Sequence, residues 1–288
     1  MTQGEREDIA KNPTTPIIVL QELAKDDKWK VRQGVGENVK AGVDLLQELA
    51  KDESGWVREA VGQNPSTPIE VIRTLAKDGN WRVRHGVASN EATPSEILEE
   101  FAENEEGWIC EKVASNPATP EKILWQFVRQ KKIVTYTGLA RNPKTPDKIL
   151  AFLARGGKEK IRQSVARNPN TNSNTLVVLS EDELTSVRLC VAENPHTSPG
   201  VLASMYKYAV QNDTLSQNLA LSVIRKNILD ESEVTALVAA FGYDAAYAVS
   251  EAMVVSQRSV LSRLLARYGL EGKKQLEKNE KAKSRENN

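Results

Sequence analysis

The sequence predicts an all-α fold, a two-layer helical solenoid, and three observations predict it. An asparagine recurs at a fixed spacing along the chain, and proline follows it in six places. Because a residue before proline avoids helical geometry, each repeat is expected to end at this asparagine. Apolar residues follow at helical spacing and at fixed distances from the asparagine. A short fixed period is typical of stacked repeat units. The asparagine recurs every 26 residues, without an insertion, at Asn12, Asn38, Asn64, Asn90, Asn116, Asn142, Asn168 and Asn194.

The first helix of each repeat is predicted to begin at a Thr-Pro pair such as Thr67–Pro68. We expect the hydroxyl to accept an unpaired amide at the helix N-terminus, and the proline to occupy a position that needs no donor. Apolar residues eight and eleven positions after the asparagine, Ile72 and Leu75 in repeat three, predict one buried face. Repeat two has Ala41-Gly42 instead of Thr-Pro, so its first helix is expected to begin less sharply.

The second helix of each repeat is predicted after a short charged turn. It carries apolar residues four positions apart, Val83 and Val87 in repeat three, followed by a small residue, Ala88. Small side chains at this position allow consecutive repeats to approach closely. Each repeat is therefore expected to contain two short helices, of roughly ten and eight residues.

The period divides the chain into four regions. Residues 1–11 are predicted to be an N-terminal half-repeat that caps the array, and residues 12–197 hold seven repeats. After Thr197 the period fades, and residues 198–270 are expected to form a degenerate repeat and a C-terminal helical cap, because an uncapped last repeat leaves apolar surface in water. Residues 271–288 contain ten charged residues and one leucine, so this tail is predicted to be disordered.

Segments such as VRQSVARNPNT and VREAVGQNPSTP resemble the variant leucine-rich repeat, over about Ile9 to Thr197. The resemblance implies a right-handed superhelix of two helical layers, α in one and partly 3₁₀ in the other, without strands. It also implies a general binding scaffold rather than a particular activity. One form of the family carries a cysteine cluster and an iron–sulfur centre before the repeats. Because the first cysteine here is Cys110, that centre is not carried over, and we expect no cofactor.

Composition excludes several classes of protein. The chain has 39 basic and 39 acidic residues, and a net charge of zero argues against a general polyanion-binding protein. Cys110 and Cys190 form no metal-binding or redox motif, and no nucleophile elbow, P-loop or dinucleotide-binding motif is present. The most apolar long stretch, residues 234–255, carries Asp244 and Glu251 and would be a poor membrane span. The sequence thus predicts a cytoplasmic, non-enzymatic protein without metal or membrane association.

Recurring arginines and aspartates allow two interpretations. An arginine stripe could bind phosphate, but an aspartate stands six residues before most of these arginines, and where Cys110 and Tyr136 replace the arginine the acid is also absent. We therefore predict structural ion pairs within each repeat, each of modest value unless buried. The predicted pairs are Asp26–Arg32, Asp52–Arg58, Asp78–Arg84 and Asp182–Arg188.

Tryptophans at the start of four consecutive second helices, Trp29, Trp56, Trp81 and Trp108, also allow two interpretations. Each indole could cover the apolar seam between helices. Alternatively, the four could form an aromatic row, with Lys30 and Arg82 nearby, that holds an extended segment of about eight or nine residues.

Repeat five is irregular and provides a second candidate surface. Trp125, which is expected to be exposed, lies near Arg129, Lys131 and Lys132 in a repeat that lacks the Asp–Arg pair. Such irregularity can be neutral drift or a site. The leading hypothesis is a scaffold that binds an unidentified protein or peptide along one face. The alternative is a nucleic-acid-binding solenoid that uses these basic and tryptophan residues on its concave face.

Overall fold

A computed structural model of the protein describes residues 1–211, which contain sixteen α-helices, one 3₁₀ turn and no β-strand. The internal contacts divide the chain into two units, Met1–Asn170 and Thr171–Asn288. The part of the predicted C-terminal cap after residue 211, the apolar stretch 234–255 and the tail 271–288 lie outside the described residues.

In the first unit, the first helix of each repeat buries one apolar face. Ile72 and Leu75 are almost fully buried, as the spacing predicts. Repeat two follows the same pattern: its first helix begins at the equivalent residue, because Gly42 adopts the extended backbone that proline has elsewhere. The less sharp start expected there is wrong. These helices are α2 (Ile17–Leu23), α4 (Val43–Leu49), α6 (Ile69–Leu75), α8 (Ser95–Asn104), α10 (Glu121–Arg129) and α12 (Asp147–Gly156).

The threonine of the Thr-Pro pair does not cap the first helix. The N-cap residue of α6 is Pro68, and it makes no side-chain cap bond. The Thr67 hydroxyl instead donates to the carbonyl of Val61, at 2.6 Å, near the end of the preceding second helix. The predicted N-cap role of threonine is therefore wrong, and the residue satisfies a helix C-terminus instead.

The second helices stack on one another and form a continuous layer in the first unit. The half-repeat supplies the first member of this layer, and in repeat five a 3₁₀ turn, Ile133–Thr135, precedes a shortened helix. The members are α1 (Gln3–Lys11), α3 (Trp29–Glu37), α5 (Gly55–Gln63), α7 (Trp81–Ser89), α9 (Gly107–Ser115), α11 (Tyr136–Arg141) and α13 (Glu159–Arg167).

Close backbone approach explains the small residues of the second helices. A Cβ on Gly86 of α7 would lie 2.6 Å from the carbonyl oxygen of Glu59 in α5. A Cβ on Gly62 would lie 3.1 Å from the backbone nitrogen of Val87. These helices therefore pack with almost no side chain between their backbones.

The recurring asparagine joins neighbouring repeats. The Asn64 amide Nδ2 donates to the carbonyls of Gly36 and Asn38, at 2.7 and 2.9 Å, and its Oδ1 accepts the amide of Ser66 at 2.9 Å. The side chain is 2% exposed, so it satisfies backbone groups that water does not reach. The other members that form the same bonds in the first unit are Asn38, Asn90, Asn116, Asn142 and Asn168.

The described part of the second unit contains α14 (Ser173–Ser180), α15 (Thr185–Glu193) and α16 (Pro199–Gln211). Here an asparagine, Asn172, does cap the first helix, because its side chain accepts the amide of Thr175. The Thr197 hydroxyl donates to the carbonyl of Val191, as its counterparts do in the first unit. The second helix of repeat seven thus ends with the same threonine-to-carbonyl hydrogen bond as the second helices of the first unit.

Candidate binding surface

Arginine and acidic side chains link each repeat to the next along the first unit. Arg32 Nε lies 2.6 Å from Asp52 Oδ2, and Arg58 Nε lies 2.7 Å from Asp78 Oδ2. Arg6 of the half-repeat pairs with Asp26 in the same way, at 2.6 Å. We call this set of cross-repeat pairs the arginine ladder.

The predicted pairs Asp26–Arg32, Asp52–Arg58 and Asp78–Arg84 are wrong, whereas the pair Asp182–Arg188 stays a prediction. The Arg58 side chain reaches its own repeat only through Nη1, which donates to the backbone carbonyl of Asp52 at 2.7 Å. Its Nε and Nη2 bind the carboxylate of Asp78, twenty residues later. One guanidinium therefore holds a turn carbonyl of its own repeat and a carboxylate of the next. In the second unit, Arg188 Nη1 similarly donates to the Asp182 carbonyl at 2.6 Å.

The ladder lowers the pKa of two of its carboxylates, Asp26 and Asp78. The hydrogen bond from Arg6 holds the pKa of Asp26 below its ordinary value, against the effect of burial. Burial alone would raise the pKa of Asp78, but hydrogen bonds from Arg58 and the Asn80 amide outweigh it and lower that pKa. The carboxylates are thus held in their charged form by neighbours inside the fold.

The ladder changes chemistry in repeats four and five. Arg84 binds Glu105, at 2.5 Å, because the usual aspartate position is Asn104. At the next step Cys110 replaces the arginine, and Lys132 turns inward from repeat five: its Nζ donates to the carbonyls of Ala102 and Glu105 and lies 3.6 Å from Cys110 Sγ. A cation there also complements the C-terminal end of α8. Lys132 is therefore not part of an exposed basic surface.

The tryptophans of the first three repeats lie side by side. The rings of Trp29 and Trp56 stack, with centroids 6.0 Å apart and planes 19° apart. The Arg82 guanidinium carbon lies 4.5 Å from the Trp56 ring centroid and 4.8 Å from that of Trp81. Lys30 Nζ lies 5.9 Å from the Trp29 centroid. We call Trp29, Trp56, Arg82 and Trp81 the tryptophan row.

The tryptophan row lies on the surface. Trp29, Trp56 and Trp81 keep 36%, 44% and 44% of their area exposed, so part of each indole is accessible to a partner, and the interpretation that each indole covers the seam between helices stays a prediction. The row forms because the second helices stack directly, which brings their first turns together. Arg82 occupies in repeat three the position that Trp56 occupies in repeat two, so its side chain continues the row.

Sequence reasoning missed His85, whose ring lies next to Trp81 at one end of this row. His85 lies one helical turn after Trp81, and the two rings meet edge to face with centroids 6.2 Å apart. The i, i+4 spacing of the pair on α7 is the signal that could have identified it.

The remaining candidates do not join the row as one surface. Trp108, at 68%, is the most exposed tryptophan. Trp125 is half-buried rather than exposed, and its Nε1 donates to Glu121 Oε1, at 3.1 Å, one turn earlier on α10. Arg129 and Lys131 are exposed at and just after the end of α10. The basic cluster expected in repeat five is thus divided between the surface and the interior.

Two features of residues 1–211 concern metal binding and membrane insertion. No group of three or more His, Cys, Asp and Glu side chains in this part of the chain is placed to hold a metal ion. No helix within these residues combines the length and apolar character needed to cross a membrane.

Comparison with known proteins adds a structural similarity. No family model and no curated protein matches the sequence. The chain is similar to a solved structure described as a leucine-rich repeat variant with a novel repetitive protein structural motif. The two are 22% identical, with a TM-score of 0.42, over 77% of this chain and 85% of that one. The resemblance to a variant leucine-rich repeat is confirmed, and it concerns the fold alone.

Proposed function

We propose that this protein is a non-enzymatic scaffold that binds an extended peptide segment of a partner protein along the tryptophan row. The observation that carries the proposal is the contiguous stack of three exposed tryptophans, Trp29, Trp56 and Trp81, with the half-buried Arg82 between the last two. Tryptophan and arginine are the side chains most enriched among residues that dominate binding energy at protein interfaces.

The dimensions of the row support a short peptide. Its centre-to-centre steps are 6.0, 4.5 and 4.8 Å, roughly the length of four or five residues of extended chain at about 3.3 Å each. This is shorter than the eight or nine residues expected for an even row of four tryptophans. Trp108 would then contact a neighbouring part of the partner.

The position of the row suits a scaffold. The helices that carry it, α3, α5 and α7, are joined by close backbone packing and by the arginine ladder. Side chains on such a rigid layer lose little conformational freedom on binding, which favours affinity. The two cysteines, Cys110 and Cys190, are free and buried, which fits a reducing compartment such as the cytoplasm.

Nucleic-acid binding is the alternative, and the arrangement of the row supports it less. Single-stranded nucleic acids bind aromatic side chains by stacking on a free ring face. In the row, Trp56 has both Trp29 and Arg82 as ring neighbours, and Trp81 has Arg82 and His85. Most ring faces of the row thus already have a neighbour inside the protein, which leaves few faces for a base to stack on.

The test is a selection of random nine-residue peptides, displayed on phage, on the purified full-length chain. Enriched peptides are synthesised and titrated against wild type and Trp56→Ala. We expect Trp56→Ala to weaken binding at least about tenfold, with little change in melting temperature because the side chain is 44% exposed.

Trp125→Ala is the matched control, because this indole lies on α10 outside the row. It should leave peptide affinity unchanged. Failure to enrich any peptide, or enrichment of peptides that bind Trp56→Ala as tightly as wild type, would contradict the proposal.

A further inference from the structure

Arg82 differs from every other arginine in residues 1–90. Five of the six arginines in this segment contact a carboxylate: Arg6, Arg32, Arg58, Arg73 and Arg84. The Arg82 guanidinium donates no hydrogen bond to the described chain, and no carboxylate of the described residues lies within 4.0 Å of it. Its contacts are the rings of Trp56 and Trp81.

These two rings hold the guanidinium without occupying its donors. A guanidinium over an aromatic ring is attracted by the negative face of that ring, and the contact restricts its orientation. The N–H groups lie around the edge of the planar group, in a fork that matches the two oxygens of a carboxylate. Arg82 is therefore pre-oriented for an anion that the described chain does not supply.

Several charges near the row favour an acidic ligand, and the exposed acids Asp27 and Glu53 in the turns before it lie beside Lys28 and Arg32. The ladder aspartates that precede the row, Asp26, Asp52 and Asp78, are each bound by an arginine. Lys30 adds a cation at the Trp29 end. The row also lies at the N-terminal ends of three stacked helices, α3, α5 and α7, where the helix dipole is positive.

We infer that the tryptophan row recognises an acidic peptide segment, in which one Asp or Glu carboxylate pairs with Arg82 and an apolar or aromatic side chain two residues away packs on the edges of Trp29 and Trp56. The spacing follows from the row: Trp56 is 4.5 Å from Arg82 and 6.0 Å from Trp29. Side chains two apart on an extended chain share one face and are about 7 Å apart. This inference rests on the proposed function.

A single pre-oriented guanidinium favours a carboxylate over a nucleic acid. Nucleic-acid binding depends on several cations that follow successive phosphates. The other candidate cations do not supply such a track, since Lys132 is turned towards Cys110 and Lys30 lies at the far end of the row. Arg129 and Lys131 are exposed, but they lie at and just after the end of α10, outside the row. One carboxylate between apolar contacts matches what the row presents.

The experiment uses two pools of labelled nine-residue peptides and the full-length protein. In the first pool a glutamate is followed two positions later by phenylalanine, with small residues elsewhere, and in the second pool glutamine replaces the glutamate. Fluorescence anisotropy measures dissociation constants at fixed salt. We expect wild type to bind the glutamate pool about tenfold more tightly, the effect of one charge-assisted bidentate pair.

Arg82→Met should abolish the difference between the pools while it retains binding to the glutamine pool, because the tryptophans remain. Arg129→Met is the matched control, an exposed arginine outside the row, and should keep the full difference. Far-UV circular dichroism verifies that each variant folds. Trp56→Ala should weaken binding to both pools.

The other outcomes separate the two ideas. Equal wild-type affinity for both pools, weakened by Trp56→Ala, would overturn acidic recognition and leave the peptide scaffold standing. Wild-type binding to neither pool would overturn both. Tighter binding to a ten-nucleotide oligothymidylate than to the glutamate pool, lost in Arg82→Met, would overturn both in favour of nucleic acid.

Discussion

Arg58 and Asp78 form an ion pair between two neighbouring repeats, with Nε 2.7 Å from Oδ2, although they are twenty residues apart. Both side chains are largely buried, with 19% and 14% of their area exposed. Loss of one partner therefore leaves the other as an unpaired charge that water reaches poorly, which destabilises the fold. The pair acts as a connection between α5 and the turn before α7 rather than as a site for a ligand.

The first prediction is a double-mutant cycle on this pair. Arg58→Met and Asp78→Asn should each lower the free energy of unfolding, and the double variant should cost less than the sum. The coupling energy should be about 1–3 kcal/mol, measured by urea denaturation. Arg58→Met with Asp52→Asn is the control cycle, because Arg58 contacts the backbone of Asp52 and not its carboxylate. Stronger coupling in the control cycle would refute the cross-repeat assignment.

The second prediction concerns acid. The pKa values of Asp26 and Asp78 are lowered in the fold, so their stabilisation is present above the unfolded value near about 4 and is lost as pH falls through the folded values. Urea unfolding should therefore show declining stability below about pH 4. Asp78→Asn should lower stability at pH 7 and reduce that decline. Asp44→Asn removes an exposed carboxylate that forms no ion pair with residues 1–211, and it should preserve the wild-type profile.

The third prediction tests the close approach of α5 and α7. Gly86→Ala places a Cβ 2.6 Å from the carbonyl oxygen of Glu59, and relief of that overlap requires the helices to separate. We expect a loss of about 1–3 kcal/mol of unfolding free energy, despite the better helix propensity of alanine. Gly79→Ala is the control, since nothing lies within 4 Å of its added Cβ. Equal stability of the two variants would disprove the tight contact.

The fourth prediction is a stabilisation of repeat two. Ala41→Thr should supply the hydroxyl bond to the Val35 carbonyl that Thr67 makes to Val61 in repeat three. The second substitution is Gly42→Pro, because Gly42 has φ −67° and ψ 163°, backbone angles that proline adopts without strain. Together the substitutions should add about 1–2 kcal/mol, seen as a higher melting temperature. Thr67→Ala should do the reverse, and a destabilised double variant would contradict the assigned role of the threonine.

The sequence predicts the helical repeats well because identical units must stack in identical ways. The same period hides the ladder register: an aspartate six residues before one arginine is also twenty residues after the arginine of the preceding repeat. Only a position that departs from the pattern distinguishes pairing within a repeat from pairing between neighbouring repeats. Gly156 lies twenty residues after Tyr136, so both members of that cross-repeat pair are absent together, which a pairing within repeats leaves unexplained.

The tryptophan row was harder to predict than the fold. Trp29 and Trp56 differ in phase by one residue within the repeat, which alone suggests different directions around a helix. Whether an indole in a first turn covers a seam or lies outside depends on the distance between neighbouring helices. That distance is set by glycines such as Gly86, remote from the tryptophans in each repeat. The row therefore follows from backbone spacing rather than from any local motif.

The buried asparagine has a consequence for how such a chain can change over time. Asn64 and its counterparts bind main-chain carbonyls, at Gly36 and Asn38 for Asn64, and every residue type offers the same carbonyl. A repeat joined in this way can be duplicated or removed as a whole. After the gain or loss of one 26-residue segment, the asparagine at each new junction would form the same bonds to backbone carbonyls as before. Surface side chains can then diverge from repeat to repeat while the joints stay constant.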